Sequence, residues 1–369
     1  MKRIGKIYQK IIDKDNIRAA IKRAATGKLK RESVQRVLAD IPRHVDKIHD
    51  LLKNKAYRPC PVKERIVKEG ACQKERKITT IRFFPDQVIH WCVMLQLEPH
   101  FIKSAYQLSC GSMPGRGVHY AKKFVVKWLQ NDRKNTKYIA KLDIAKFYPS
   151  IPHEEMKVAL RRKFKDADLL WLLDTIVGHW CRDRQEQIKR GLPIGFLTSQ
   201  WLANFLLQPT DFHVKQSLGV RHYIRYMDDM ILFGRNKKEL HRSVKAIAEK
   251  LRPLGLFLKK SWQVFRSDSR PLDFMGFRFY CDRVTLRRSL MLRITRTCRH
   301  ISKKHSPTST ESAGVLSYMG WLINSDSHNL YNSRVKPFVN IKRAKRCVSS
   351  AALAANLKAK ELTHENSAV

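Results

Sequence analysis

Tyr223 to Phe233 reads YIRYMDDMILF. Apolar residues run up to Met227, two aspartates follow, and apolar residues run away again. Runs of this length, rich in Ile, Tyr and Phe, fit buried strands, so the stretch predicts a hairpin with Asp228 and Asp229 at its tip. Burying unpaired carboxylates costs several kcal/mol per ion, so something cationic belongs opposite them. Basic side chains are one answer. A divalent cation holding phosphates is the sharper one, since Mg²⁺ favours one or two carboxylates plus substrate oxygens. The plainer alternative is a tight turn in which both aspartates cap backbone amides.

A second stretch, Lys141 to Ile151, reads KLDIAKFYPSI: a β-like run with Asp143 inside it and Tyr148 five residues on. One strand aspartate beside a hairpin pair is the arrangement that two-metal phosphoryl transfer needs. Two cations about 4 Å apart clamp the attacking and leaving oxygens, and three carboxylates hold both. Together YMDD, the D-x4-Y segment and GLPIGFLTSQ at Gly191 to Gln200 resemble the palm of reverse transcriptases, in the right order from about Tyr57 to Trp321. The resemblance implies an α+β right-hand polymerase with fingers, a palm built on an antiparallel sheet, and a helical thumb.

Composition agrees with a polyanionic partner. The 369 residues hold 74 Lys and Arg against 32 Asp and Glu, a net charge of +42. So large an excess predicts nucleic acid. A merely basic scaffold would not need 43% hydrophobic residues or two aspartate-bearing strands. The eight cysteines show no C-x-x-C pairing and no zinc spacing, and read as reduced thiols of a cytoplasmic protein. Lys or Arg interrupts every candidate membrane span, and no signal peptide is evident.

In chain order, residues 1–52 read as a helical extension. Ile4 to Ile12 has helical spacing, Asp15 is placed to cap a second helix, and Asp40 to Leu52 forms a third. Residues 53–280 hold interleaved fingers and palm, 281–345 a helical thumb, and 346–369 a basic tail, either a loose helix or disordered. Cys110 to His119, with three glycines and an arginine, is either an amide nest for phosphate or a flexible turn. His153 to Val177 reads helical throughout. In Arg283 to Lys304, Arg296, Arg299 and Lys303 fall on one helical face suited to phosphate contacts. Thr308 and Glu311 form a capping-box pattern.

The resemblance also implies roles. Asp143, Asp228 and Asp229 would hold two Mg²⁺ ions, or Mn²⁺ in their place, with the Ile144 carbonyl as a further ligand. Lys74 and Arg76, in a K-x-R-x-I finger hairpin, would meet the incoming triphosphate, with Lys77 a rival to Arg76. Tyr148 would be the steric gate, and Lys259 or Lys260 would protonate pyrophosphate. Phe274, Met275 and Gly276 fall in a primer-grip hairpin. Gly195 would let the backbone approach the template–primer pair. Most of the family has Q-G-x-x-x-S-P here, whereas this chain has Ile194 and Gln200 at the first and last positions. That departure resembles enzymes of diversity-generating retroelements and of phage defence. The expected partners are dNTPs, an RNA template of the structured non-coding kind, the DNA product, and an accessory protein or second copy. The competing classes are a catalytically silent RNA-binding scaffold and a polymerase that works without a conventional template or primer.

Overall fold

The structure, a computed structural model, describes residues 3–69, 74–183 and 185–365, without the side chains of residues 68, 69, 74 and 355–365. The chain forms two compact units: residues 1–121 with 134–265, and residues 122–133 with 266–369. The reading as α+β holds.

Four helices open the first unit: α1 (Tyr8–Ile12), α2 (Lys14–Ala25), α3 (Glu32–Ala39) and α4 (Ile41–Lys53). The α2 cap is Asp13, not Asp15, because Asp13 takes the non-helical conformation and its carboxylate accepts from the amides of Asp15 and Asn16. Helix α3, absent from the sequence reading, buries only Val34 and Val37. A two-stranded ribbon follows, β1 (Lys63–Glu69) antiparallel to β2 (Lys74–Thr80). Helix α5 (Val88–Ser104) is apolar nearly all round and runs through the core. Next come β3 (Ser109–Cys110), α6 (Val118–Asn131), β4 (Tyr138–Asp143) and the single turn α7 (Phe147–Ser150).

The stretch from His153 to Val177 is helical as read, in two helices, α8 (His153–Lys163) and α9 (Ala167–Gly178). They break because Asp166 caps α9 through the Leu169 amide while its other oxygen accepts from Ile7 and Tyr8. Helices α10 (Leu197–Leu206) and α11 (Gln208–Phe212) lead to β5 (His222–Tyr226), β6 (Asp229–Gly234), α12 (Lys237–Leu251) and β7 (Gln263–Arg266). The main sheet has the order β3-β5-β6-β4-β7, with the central β6 antiparallel to both of its neighbours, β5 and β4.

The second unit carries a meander, β8 (Leu272–Phe274), β9 (Phe277–Phe279) and β10 (Val284–Leu286). Helices α13 (Arg288–Ser302), α14 (Ser309–Ile323), α15 (His328–Arg334) and α16 (Ile341–Glu365) follow. Thr308 and Glu311 do form a reciprocal capping box on α14. The tail, left open in the sequence between helix and disorder, is helical to Glu365.

Candidate active site

The register of the central strands brings the aspartates together. Asp143, the last residue of β4, lies directly opposite Asp229, the first of β6, and Tyr226 faces Asp229 from the other side. Asp228 sits between them in the two-residue turn. Its carboxyl is raised from the usual value by burial and then by the charge of Asp143, against the opposing pull of Lys259 and Arg76. The Asp229 carboxyl is pushed up to about 6, again by burial first, then by Asp143 and Asp228. These are carboxylates held where their charge is costly.

The arrangement fits a divalent cation on one further observation. Asp143 Oδ1 is buried and has no hydrogen-bond partner. Its other oxygen is ion-paired with Lys259 Nζ, while the Lys259 amide donates to the Asp143 carbonyl at 2.8 Å. Lys259 therefore reaches the site, on the carboxylate itself; Lys260 is exposed. Among the described residues no three His, Cys, Asp or Glu side chains stand close enough to make a ready-built metal cage. Ile144 is fully buried and bridges to Leu258.

Tyr148 follows on the half-buried face of α7, its ring tilted at 58° to that of Phe147 with centroids 5.4 Å apart. Its hydroxyl is raised by burial and then by the charge of Asp228. The Leu192 amide donates to the Tyr148 carbonyl at 2.9 Å, and the Thr79 amide to the Ile194 carbonyl at 2.8 Å. The Gly191–Gly195 segment thus runs between α7 and β2, bringing Ile194 into the same neighbourhood. Gly195 has φ +123°, and a Cβ there would lie 2.2 Å from the Thr79 carbonyl oxygen. Within the chain its close approach is to β2 of the ribbon. Gln200 lies on the exposed side of α10.

Arg76 is exposed on β2, and its charge reaches Asp228. Lys77, its rival, pairs with Glu64 at 2.5 Å across the ribbon. The Lys74 side chain lies outside the described residues. The glycine-rich Cys110 to His119 stretch is a turn: the Gly111 amide donates to the Arg116 carbonyl and the Arg116 amide to the Met113 carbonyl. Those two amides are therefore not offered to a phosphate.

In the second unit, Phe274, Met275 and Gly276 form the tip of the β8–β9 hairpin, with Phe274 buried. Arg296 and Arg299 on α13, and Lys303 at its end, are exposed on one side of the helix. The Arg299 guanidinium lies over the Phe338 ring at 5.7 Å.

Sequence reasoning missed one group altogether. Arg225, in the middle of the apolar YIRY run, is fully buried and ion-paired with the fully buried Asp211 at 2.6 Å. A lone arginine inside a strand that otherwise reads as core was the available signal, because such a charge needs an acidic partner brought from elsewhere.

A model of the family described as Reverse transcriptase (RNA-dependent DNA polymerase) matches residues 66–279, a span holding the three aspartates, the ribbon strand β2 and the first hairpin of the second unit. The chain belongs to the reverse transcriptase family. Protein YkfC of Escherichia coli (strain K12) is 24% identical, over 56% of this chain and 61% of that one. The group II intron-encoded protein LtrA of Lactococcus lactis subsp. cremoris is 26% identical, over 57% of this chain and 34% of its own length. The retron Ec73 reverse transcriptase of Escherichia coli is 34% identical, over 28% of this chain and 34% of that one. The chain thus spans 61% and 34% of the length of the first two relatives. Among solved structures, a telomerase from Candida albicans aligns with 76% of this chain and 55% of its own, at 14% identity and a TM-score of 0.47. No described helix is long and apolar enough to cross a membrane.

Proposed function

We propose that this reverse transcriptase extends a DNA primer or priming group on an RNA template, taking dNTPs as substrate. The observation that carries the reading is the meeting of Asp143, Asp228 and Asp229 at the ends of adjacent buried strands, with Asp143 Oδ1 left without a partner. Nothing in the stability of a fold calls for three converging carboxylates, two of them resisting ionisation. Asp143, Asp228, Asp229 and the Ile144 carbonyl would hold two Mg²⁺ ions, or Mn²⁺ in their place. Bound there, the ions would neutralise charge on the entering and leaving oxygens of the phosphoryl transfer.

The chain's own side chains divide the remaining work. Arg76 offsets charge on the β- and γ-phosphates, as does Lys74. Tyr148 fills the space that a ribose 2′-hydroxyl would need. Lys259 holds Asp143 from one side and carries on Nζ the proton that leaving pyrophosphate takes up. Ile194 offers van der Waals contact to the nascent pair, where a glutamine would offer hydrogen bonds. Gln200 and Gly195 line the approach to the nucleotide. The hairpin tip Phe274–Gly276 seats the primer end, and Arg296, Arg299 and Lys303 grip phosphates of the duplex. By this division residues 53–280 hold fingers and palm, 281–345 the thumb, and the basic tail begins at 346.

The setting we propose is a bacterial or phage retroelement, including those that serve antiphage defence, with a structured non-coding RNA as template and an accessory protein or a second copy as partner, in the cytoplasm. Relatives named for a group II intron and a retron support the retroelement reading. The test is incorporation of dNTPs and rNTPs by the purified chain on a primed RNA. Extension with dNTPs is expected, and Tyr148→Ala should raise ribonucleotide use relative to deoxyribonucleotide. RNA binding without incorporation of either would favour the silent scaffold. Sequencing the RNA that co-purifies would identify the template.

A further inference from the structure

The buried pair of Arg225 and Asp211 belongs to none of the roles above. Arg225 is the largest fully buried side chain of the described residues, and Asp211 is buried with it. A buried ion pair replaced by apolar side chains of like volume often leaves a protein as stable or more so, so stability alone does not account for one. What the pair touches does. Arg225 Nε and Nη2 donate to the two Asp211 oxygens at 2.7 and 2.6 Å, and the Tyr223 hydroxyl donates to Asp211 at 2.7 Å. Arg225 Nη2 also donates to Ser109 Oγ at 2.7 Å, and Nη1 to Asn204 Oδ1 at 2.9 Å. A further bond runs forward along its own strand: Nη1 donates to the Met227 carbonyl at 2.8 Å.

That last contact is the informative one. Met227 opens the two-residue turn in the left-handed conformation, φ +56°, where a side chain is at a disadvantage. Its carbonyl belongs to the peptide plane that it shares with Asp228, so whatever holds this oxygen sets the direction in which the Asp228 backbone leaves the turn. The Met227 amide is held as well, donating to the Cys110 carbonyl at 3.1 Å. Asn204, which accepts from Arg225, donates to the Gly111 carbonyl at 3.1 Å. One planar guanidinium therefore joins the turn to β3, α10 and α11 at once.

We infer that the Arg225–Asp211 pair is a positioning device of the active site: it fixes the Met227–Asp228 peptide plane and, through it, the aim of the Asp228 and Asp229 carboxylates. The inference rests on the polymerase reading. Arg225 and Asp211 are positioning residues, because they act through the turn that bears the carboxylates.

The test uses the full chain with Arg225→Lys, which keeps the charge but not the planar fork, and Asp211→Asn, which keeps the shape but not the charge. Thermal melts fix the folded fraction. Mn²⁺ binding is read without nucleotide from the paramagnetic signal of the free ion, and primer extension is measured in steady state. Both variants are expected to be folded at the assay temperature, to bind Mn²⁺ about 10- to 100-fold more weakly, and to lose kcat by a similar factor. KM for dNTP should stay within about twofold. Unchanged Mn²⁺ affinity and unchanged kcat per folded molecule would overturn the inference. So would variants that fail to fold wherever the unaltered chain works, since the pair would then be a stability element. An unaltered chain that binds no Mn²⁺ and extends no primer would instead refute the polymerase reading.

Discussion

Two hairpins in this chain turn over a methionine. Met227 leads the turn between β5 and β6 at φ +56°, and Met275 leads the turn between β8 and β9 at φ +52°. Two-residue hairpin turns want positive φ, and glycine meets that need at least cost. The second hairpin takes that route: Gly276 follows Met275 at φ +86°, and the Trp321 ring comes within 3.0 Å of where a Cβ would lie. The first hairpin has no glycine, and of its two turn residues only Met227 takes a positive φ. A non-glycine residue in such a conformation costs roughly 1–3 kcal/mol unless its surroundings over-determine it. Around Met227 they do, through the buried arginine, Asn204 and Cys110. Where a side chain other than glycine holds the left-handed place in a turn, as Met227 does beside Asp228, hydrogen bonds from neighbouring elements take over the turn's definition.

The comparison breaks most visibly at Gly276. Gly276→Val adds a branched side chain at positive φ against Trp321, and should destabilise the protein by roughly 2–4 kcal/mol. Urea unfolding at unchanged slope would show it. A loss under 1 kcal/mol would mean that the second turn does not depend on its glycine.

The second unit also separates shape from charge. Arg296, Arg299 and Lys303 together replaced by alanine should leave the β8–β9 hairpin intact while flattening the salt dependence of nucleic-acid binding. The expected change is about 2.7 log–log units, from roughly 0.9 per phosphate contact, and it should be alike for unrelated sequences. An unchanged slope would remove these three residues from the binding surface.

The first hairpin should show an effect of opposite sign. The raised Asp229 carboxyl keeps its proton in the fold at pH values where the unfolded chain has lost it. Stability of the metal-free protein therefore falls as pH rises from about 4 to about 6, and the full cost is present above that window. Asp229→Asn removes the cost, so at pH 7 with chelator the variant should be more stable by about 1–2 kcal/mol, less than the full shift implies because the site is partly open to solvent. The difference should vanish near pH 3.5. Urea midpoints at the two pH values decide it, and a less stable variant at pH 7 would contradict the strain ascribed to this site.

Much of this was legible in the chain. The alternation around Asp143 and the apolar flanks of Asp228 and Asp229 were enough to place three carboxylates on adjoining strands. The Thr308–Glu311 box marked α14. What escaped depended on partners distant in sequence. Gly195 needs its freedom because of Thr79, more than a hundred residues earlier. Asp166 stops a helix partly because the chain's first turn docks on it. Asp13 rather than Asp15 caps α2 because the helix starts two residues sooner than the sequence reading placed it. Arg225 was passed over because the strand around it reads as core, and its acid, Asp211, comes from a short helix that no local pattern singles out.

The most direct test of the account is Asp228→Asn in the full chain, assayed side by side for RNA binding and for divalent-ion-dependent primer extension. The account predicts a folded variant with RNA affinity unchanged, since the lost charge touches no proposed phosphate contact, and extension reduced by a factor of about 10³ or more. Extension near the unaltered rate would contradict it, because a site built on three converging carboxylates does not keep its chemistry with one of them neutral.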